Sequence, residues 1–332
     1  MGSNYLIPLL DILLPGLLPA ASPQTRLPRL ERWLARAELA RDPSRGMEAW
    51  LGRAFGLDPA PVAAVSLAVD EAPQPGHWLR ADPVYARVQG DTLVLHPAGM
   101  LSIEPDEARA LVATLRDHFA ADGMEFRVPR PDRWYVRVPA EESPVTLPLP
   151  EALGQDLFRH LPRGKGRIRW ESALTEAQMM LSTHPVNIAR EAARRPPVNA
   201  IWFWGEGALP RDLPRPYAQV FATDPFAAGL AHLSGATLAP PPPSPRDVAA
   251  NGPTLLVIDA AAVAWATGDA TQWESAARSI DDAWLSGMGE LLARFGRVRL
   301  ILPARQDTCV ATLSPSARWR FWRTERPVAK HA

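Results

Sequence analysis

The sequence predicts an α/β protein whose core is a mainly parallel sheet with helices on both faces. Thr254–Asp259 is a short apolar run of the kind that forms buried strands in parallel sheets. A long amphipathic pattern follows over Asp269–Phe295, and a second apolar strand follows at Arg297–Leu302. Strand, long helix and strand in this order indicate a βαβ unit, in which a helix joins two parallel strands.

A change of pattern near Gly76 predicts a smaller α+β domain inserted into this core. Its expected elements are a hairpin over Val84–Val88 and Thr92–Leu95, a helix over Ala108–Phe119, and strands over Met124–Val128 and Trp134–Val138. Proline-rich segments flank these elements on both sides. We therefore expect a core of residues 1–76 and 151–332 and an inserted domain of residues 77–150.

The N-terminal run Tyr5–Leu18 predicts a buried first strand, not a signal peptide or a membrane segment. It lacks a basic leading region, contains Asp11, and is interrupted by two prolines and a glycine. The other core elements expected from the pattern are helices over Leu27–Ala40, Gly46–Phe55, Trp170–Ser182 and Asp224–Gly235, and a strand over Pro61–Val69.

Composition limits the possible classes of function. The 36 basic residues equal the 36 acidic residues, so no global charge attracts nucleic acid or an anionic membrane. The only cysteine is Cys309, which excludes an intramolecular disulfide and a cysteine-based zinc cluster. These features favour a cytoplasmic protein without a membrane partner, for which nucleic acid is not the expected ligand.

The segment from His184 to Pro210 carries the candidate ligand site. A short helix after His184 is followed by two prolines, an apolar strand over Val198–Trp204, and the glycines of Gly205–Gly207. Open α/β sheets bind ligands where a strand ends in such a turn, because backbone there can approach a ligand closely. The alternative is a core strand followed by an ordinary turn.

Polar side chains add to this candidate site. His184, Asn187 and Arg190 are spaced by three residues, so they lie near one another on a helix and could clamp a carboxylate or phosphate. The alternative is that the first two only satisfy the start of the helix. The residues proposed to bind a small anionic ligand, in a cleft between the two domains, are His184, Asn187, Arg190, Asn199, Gly205 and Gly207.

The motif HPVN followed by NAIWFWGEGALP resembles a signature of archaeal-type cofactor-independent phosphoglycerate mutases, which belong to the alkaline phosphatase superfamily. It is still more similar to the bacterial RpfE-type regulatory proteins, for which no reaction is established. The resemblance extends from about Leu27 to Pro327. It implies a phosphatase-like core, an inserted domain that covers the active site, and two metals that hold a phosphoryl group on a Ser or Thr nucleophile.

The chain departs from that family where the resemblance implies metal ligands. The first strand should carry an Asp-Gly pair, but Asp11 is followed by Ile12. The Asp-x-x-x-His motif expected after the later strand reads Asp259-Ala-Ala-Ala-Val, and the Asp-His pair expected near Asp307 is absent. We therefore expect no metal site, no cofactor and no catalytic residues, that is, a regulatory pseudoenzyme that keeps the cleft.

Two other functions stay open at this point. One is an active phosphotransferase with an altered metal site. The other is a nucleic-acid-binding regulator that uses the arginine-rich segments Arg159–Arg169 and Ala317–Arg323. For the second segment, alternation of arginine with aromatic residues favours an edge strand. The expected partner is a small anion or a regulatory protein.

Overall fold

The computed structural model describes residues 9–18, 25–140, 143–157, 160–163 and 166–331. Arg159 and Lys165 of the basic cluster lie outside these residues, as do the first four residues of the run that begins at Tyr5. The chain forms two compact units. The first unit comprises residues 1–59 and 212–332, and the second comprises residues 60–211.

The first unit contains the longer of the two sheets. Its strands are β1 (Leu9–Leu13), β2 (Glu38–Asp42), β8 (Gln219–Phe221), β9 (Thr237–Ala239), β10 (Thr254–Val257), β11 (Arg297–Pro303) and β12 (Thr308–Leu313). Its helices are α1 (Pro28–Arg36), α2 (Gly46–Ala54), α8 (Pro225–Ser234), α9 (Ala262–Thr267), α10 (Ala270–Ala283) and α11 (Met288–Phe295).

The second unit supplies the remaining elements in the middle of the chain. Its strands are β3 (His77–Gln89), β4 (Thr92–Pro97), β5 (Glu125–Arg130), β6 (Arg133–Val138) and β7 (Ala200–Ala208). Its helices are α3 (Val62–Asp70), α4 (Pro105–Phe119), α5 (Leu149–Ala152), α6 (Arg167–Ser182) and α7 (Pro185–Ala192). No helix in the described part of the chain is long and apolar enough to cross a membrane.

The sheet of the first unit confirms the predicted α/β class. Its order is β2-β12-β11-β1-β10-β8-β9, with β1 parallel to both β10 and β11. Only β12 and β2, at one edge, run antiparallel to their neighbours. β2 was not predicted, because the helix expected from Leu27 was extended to Ala40, which lies within β2. The predicted helix Asp269–Phe295 is interrupted by a 3-10 turn at Leu285–Gly287.

The second unit is built on an antiparallel sheet in which β3 is the central strand. One edge of β3 pairs with β6 near its start and with β4 near its end, while the other edge pairs with β7. Leu79 and Val136 face the core formed with α4 and α6. Their chain neighbours Trp78 and Tyr135 pack with α3 instead, as alternation along a strand requires. Helices therefore cover both faces of this sheet.

Three further predictions about the elements were wrong. Pro61–Val69 is helix α3, not a strand, because an apolar run without alternation does not distinguish a buried strand from a buried helix. β7 belongs to the antiparallel sheet of the second unit and continues through Gly207. The segment Ala317–Arg323 begins within a 3-10 helix, Pro315–Trp319, and is not an edge strand.

The unit boundaries also differ from the domain boundaries expected from the sequence. The second unit, residues 60–211, is larger than the expected domain of residues 77–150. The difference arises because α3, α6 and β7 lie in sequence outside the expected domain but contribute to the second unit's hydrophobic clusters or to its sheet. The domain boundaries expected from the sequence, residues 77–150 for the inserted domain, stay a prediction.

Candidate functional site

His184, the first of the predicted ligand-binding residues, directly precedes helix α7. His184 is the N-cap residue, and its Nδ1 accepts a hydrogen bond from the backbone N–H of Val186 at 3.1 Å. This bond satisfies one of the N–H groups that a helix start leaves without an intrahelical partner. Burial lowers the pKa of the His184 imidazole, which favours the neutral form that the cap needs.

Asn187 connects the end of α6 to the approach to β7. Its Nδ2 donates to the carbonyl oxygens of Leu181 at 2.7 Å and Val198 at 2.8 Å, and its Oδ1 accepts from the Val198 N–H at 2.8 Å. The side chain is 1% exposed. These three bonds use both amide hydrogens and one acceptor site of the side chain.

Arg190 is buried on the same helix, and its guanidinium donates hydrogen bonds to three residues of the second unit. Its Nε donates to the Pro196 carbonyl oxygen at 2.9 Å, and its terminal nitrogens donate to the Glu107 carboxylate and the Leu101 carbonyl oxygen. Glu107 in turn accepts from the Glu104 N–H at 3.0 Å, in the capping box that starts α4. The guanidinium therefore links α7 to the start of α4.

The remaining predicted residues, Asn199, Gly205 and Gly207, lie at β7. Asn199 binds both backbone groups of Ala86 across the sheet, at 2.8 and 3.0 Å. Gly205 and Gly207 have positive φ angles of 68° and 153°. A Cβ atom would lie 2.9 Å from Val62 Cβ if added at Gly205, and 2.5 Å from Pro61 Cβ if added at Gly207. The close approach that these glycines allow is therefore with the start of α3.

All six predicted residues thus lie in the second unit, but they do not converge on one space. His184, Asn187 and Arg190 connect α7 to α6, α4 and the approach to β7, whereas the two glycines pack against α3. A cavity of about 550 Å3 does exist in this unit. Apolar residues from β3, β4, α6 and β7 form much of its wall, and none of the six residues lines it. The ligand-binding role of the six residues stays a prediction.

A buried charged cluster in the second unit was not predicted. Arg80 donates to Asp82 Oδ1 from Nε at 2.9 Å and from Nη2 at 2.7 Å. Trp204 Nε1 donates to Asp82 Oδ2 at 2.7 Å, and the guanidinium lies 5.4 Å from the Trp204 ring centroid and 5.3 Å from that of Tyr135. Burial raises the pKa of the Asp82 carboxyl, and Arg80 opposes that shift. The sequence did contain a signal for this pair: Arg80 and Asp82 are two residues apart, a spacing that places both side chains on the same face of a strand.

An Asp–Arg–Tyr triad lies next to this cluster. Asp70, at the end of α3, accepts from Arg133 Nε and Nη2, both at 2.6 Å, and from the Tyr135 hydroxyl at 2.6 Å. Burial raises the pKa of the Tyr135 hydroxyl well above its usual range. The carboxylate is 4% exposed, so its three charge-assisted bonds are sheltered from solvent.

In the first unit, Asp11 is held in the same way. It lies in the middle of β1, opposite Arg299 on the neighbouring strand β11. Arg299 Nε donates to Asp11 Oδ1 at 2.6 Å, Arg299 Nη2 donates to Oδ2, and the Tyr217 hydroxyl donates to Oδ2 at 2.6 Å. Asp11 is fully buried. Both carboxylate oxygens are therefore bound to donors of the chain itself.

The other aspartates at the positions implied by the family do not complete a metal site. Leu255 is the residue opposite Asp11, and Asp259 lies four residues further along the chain, beyond the end of β10 at Val257. Asp307 accepts from Arg41 Nη1 at 2.9 Å.

A dinuclear centre needs ligands around two metals about 4 Å apart, which this donor set does not supply. Within the described residues there is no group of three or more His, Cys, Asp or Glu side chains that could hold a metal ion. Asp259 remains as a partly buried carboxyl whose pKa burial raises. The residues present therefore do not fit the two metals that the resemblance implied.

The fold is mixed α/β, and the comparisons with known proteins relate it to one class of enzymes. No family model matches the chain. It is 27% identical over 165 residues to a probable 2,3-bisphosphoglycerate-independent phosphoglycerate mutase from Geobacter sulfurreducens. It is 29% identical over 165 residues to the enzyme of that name from Methanosarcina mazei. Each match covers 47% of this chain and 41% of the relative.

The chain is thus a distant homologue of cofactor-independent phosphoglycerate mutases and matches about two fifths of the length of these curated relatives. Among solved structures, the PH0037 protein from Pyrococcus horikoshii has a TM-score of 0.51 with 14% sequence identity. That likeness covers 92% of this chain and 87% of the other, and it concerns the fold alone.

Proposed function

We propose that this chain is a non-catalytic, regulatory homologue of cofactor-independent phosphoglycerate mutase. The observation that carries the proposal is the state of Asp11, whose two carboxylate oxygens are bound by Arg299 and Tyr217. A carboxylate that already neutralises a guanidinium has little left to offer a divalent cation.

The scarcity of free candidate ligands supports the same proposal independently. Among the described residues no group of three or more His, Cys, Asp or Glu side chains could hold a metal ion, and Asp307 is paired with Arg41. Asp11 is followed by Ile12, so the Asp-Gly pair that the resemblance implies on the first strand is absent. The RpfE-type resemblance is what suggests a regulatory role. The buried thiol of Cys309, the chain's only cysteine, fits a reducing compartment such as the cytoplasm.

The test is metal content together with mutase activity. We expect the purified protein to carry no stoichiometric manganese or zinc by elemental analysis, and not to interconvert 2- and 3-phosphoglycerate when either metal is added. Two metals per chain, with an activity that a chelator abolishes, would instead establish the alternative of an active phosphotransferase with an altered metal site.

The anion-binding role of the α7–β7 segment can be tested separately. We propose that any such site uses Arg190, and the contacts of Arg190 define the control that is needed. Because Arg190 is 1% exposed and bound to Glu107, Arg190→Ala should destabilise the second unit as well as weaken anion binding. Glu107→Gln weakens the same structural contact but leaves the arginine in place.

Titration of phosphorylated three-carbon acids, followed by tryptophan fluorescence, separates the two roles. Loss of binding in Arg190→Ala but not in Glu107→Gln supports an anion site. Equal loss of stability in both variants, without a change in binding, assigns Arg190 to structure alone.

A further inference from the structure

The segment that follows β12 presents aromatic side chains to solvent. Trp319, Phe321 and Trp322 are 62%, 73% and 70% exposed. An edge strand would have turned alternate side chains into the core, but the chain here leaves a 3-10 helix at Trp319 and continues without regular structure. Three large exposed rings within four residues are not explained by packing, and such clusters commonly mark binding surfaces.

Charge is concentrated in the same segment. Between residues 318 and 326 there are four arginines and one glutamate, in a chain whose basic and acidic residues are equal in number. Arg320 and Arg323 hold the segment to the first unit, because they donate to the carbonyl oxygens of Arg36 at 3.2 Å and Ala37 at 3.0 Å. Since these anchors fix the backbone, the exposed rings are carried on a tethered segment.

Two further arginines are available to a ligand. Among the described residues, neither Arg318 nor Arg326 has a carboxylate partner, whereas Glu325, the segment's only acid, pairs with Arg32. The Arg318 guanidinium lies 5.2 Å from the ring centroid of Trp319. Phe321 and Trp322 meet edge to face at 5.6 Å. An open cavity of about 600 Å3 is lined in part by Arg323, Thr324 and Arg326 of this segment, and also by Glu38.

We propose that this aromatic–arginine segment, residues 318–326, binds single-stranded nucleic acid. Unstacked bases would lie on Trp319, Phe321 and Trp322, and phosphates would contact Arg318 and Arg326. Every base has a flat face that stacks on an aromatic ring, and a single strand repeats base and phosphate together. An acidic polypeptide would match the arginines but would leave the exposed rings without a planar partner, so nucleic acid fits both features.

The first experiment measures the contribution of the rings. The full chain is titrated against fluorescein-labelled oligothymidine and oligouridine of about 20 nucleotides, at about 50 mM salt, with anisotropy as the readout. Trp322→Ala and Phe321→Ala should each weaken binding by roughly tenfold, whereas Trp322→Phe should keep most of the affinity because a ring remains. Met179→Ala, at an exposed apolar residue of α6, is the matched control and should bind as the wild type does.

The second experiment measures the contribution of the arginines through salt dependence. Each phosphate contact adds about 0.7 to the slope of log affinity against log salt for a single strand. The double variant Arg318→Gln, Arg326→Gln should therefore reduce that slope by about 1.4. Arg246→Gln, at an exposed arginine paired with Glu290, should leave the slope unchanged. Thermal unfolding of every variant should match the wild type, since the altered side chains are exposed.

Several results would overturn the proposal. They are no binding at low salt, equal affinity in the wild type and the ring variants, and competition by polyglutamate as effective as by unlabelled oligonucleotide. Self-association that the ring variants abolish, without any oligonucleotide binding, would assign the surface to a second copy of the chain. None of these results bears on the metal content, so the proposed function stands or falls separately.

Discussion

Each of the two units buries an aspartate that is bound by an arginine and a tyrosine, but they assemble the triad differently. In the second unit, Arg133 and Tyr135 are two residues apart on β6, and both bind Asp70 at the end of α3. In the first unit, Asp11 receives Arg299 from the adjacent strand and Tyr217 from the approach to β8. The arginine side chain is 17% exposed in the second unit and 35% exposed in the first.

This comparison indicates how Asp11 should be interpreted. The triad at Asp70 lies in an antiparallel unit, at a place where the resemblance implies no metal or catalysis, so its contacts are those of a structural ion pair. Asp11 has the same set of donors with similar distances. Its position on a strand of the parallel sheet does not by itself require a catalytic explanation, and its partners are those that hold a buried charge in place.

The largest effect should come from removing the arginine of either triad. Arg133→Met and Arg299→Met each leave a buried carboxylate without its counter-charge, which typically costs about 3–5 kcal/mol of the free energy of unfolding. We expect the larger loss for Arg133, because solvent reaches Arg299 more easily and already weakens its contribution. Urea unfolding, followed by tryptophan fluorescence, measures both.

Two further variants serve as controls for this prediction. Arg297→Met changes an exposed arginine on the same strand as Arg299 and should alter stability by less than about 0.5 kcal/mol. Adding Asp11→Asn to Arg299→Met removes the unpaired charge, so the double variant should regain much of the lost stability. If Arg299→Met were as stable as Arg297→Met, the triad in the first unit would not be a structural ion pair.

A smaller loss is expected from the tyrosines at neutral pH. Tyr135→Phe and Tyr217→Phe each remove one hydrogen bond to a charged acceptor while the ring and the ion pair remain. Such a bond contributes about 1.5–3 kcal/mol, so each variant should unfold at a lower urea concentration with an unchanged slope. A loss in one unit but not in the other would break the parallel between the two triads.

The same tyrosines should make the protein sensitive to alkali. Burial raises the pKa of both the Tyr135 and the Tyr217 hydroxyl above the ordinary value of about 10. The unfolded chain therefore ionises at lower pH than the folded chain, and the stability gained from the neutral hydroxyls is complete below about pH 10 and is lost above it. The double phenylalanine variant should show a shallower fall in unfolding free energy above that pH than the wild type.

Much of the fold could be predicted because its signals are local. The strand at Thr254–Val257, the hairpin of β3 and β4, and the amphipathic helix α4 each follow from a repeating pattern within a few residues. The error at α3 has a physical reason. Residues 62–68 of this helix are all buried, so no polar face marked its period.

The candidate site was harder to predict, because its contacts join residues that are distant in sequence. Arg299 follows Asp11 by 288 positions, and no pattern around either residue indicates the pair. The glycines at 205 and 207 do permit a close approach, as the sequence suggested, but the approaching group is Pro61 and Val62 of the same unit. The sequence indicates that the backbone at these glycines needs space, but it does not indicate which group occupies that space.

The smallest effect should come from Asp259, the aspartate that lacks the arginine and tyrosine present in both triads. Burial raises the pKa of its carboxyl, so the folded state disfavours the charged form. The stability contributed by the protonated carboxyl is fully present below its pKa in the unfolded chain, near 3.9, and is lost as the pH rises through its pKa in the folded chain. Asp259→Asn should therefore stabilise the protein at pH 7 by less than either tyrosine variant destabilises it, and the gain should vanish near pH 4.

Asp307→Asn, which gives up an exposed ion pair with Arg41, should show no such gain. If manganese stabilised the wild type but not Asp259→Asn, Asp259 would be a metal ligand after all, and the distinction between paired and unpaired aspartates would have to be abandoned.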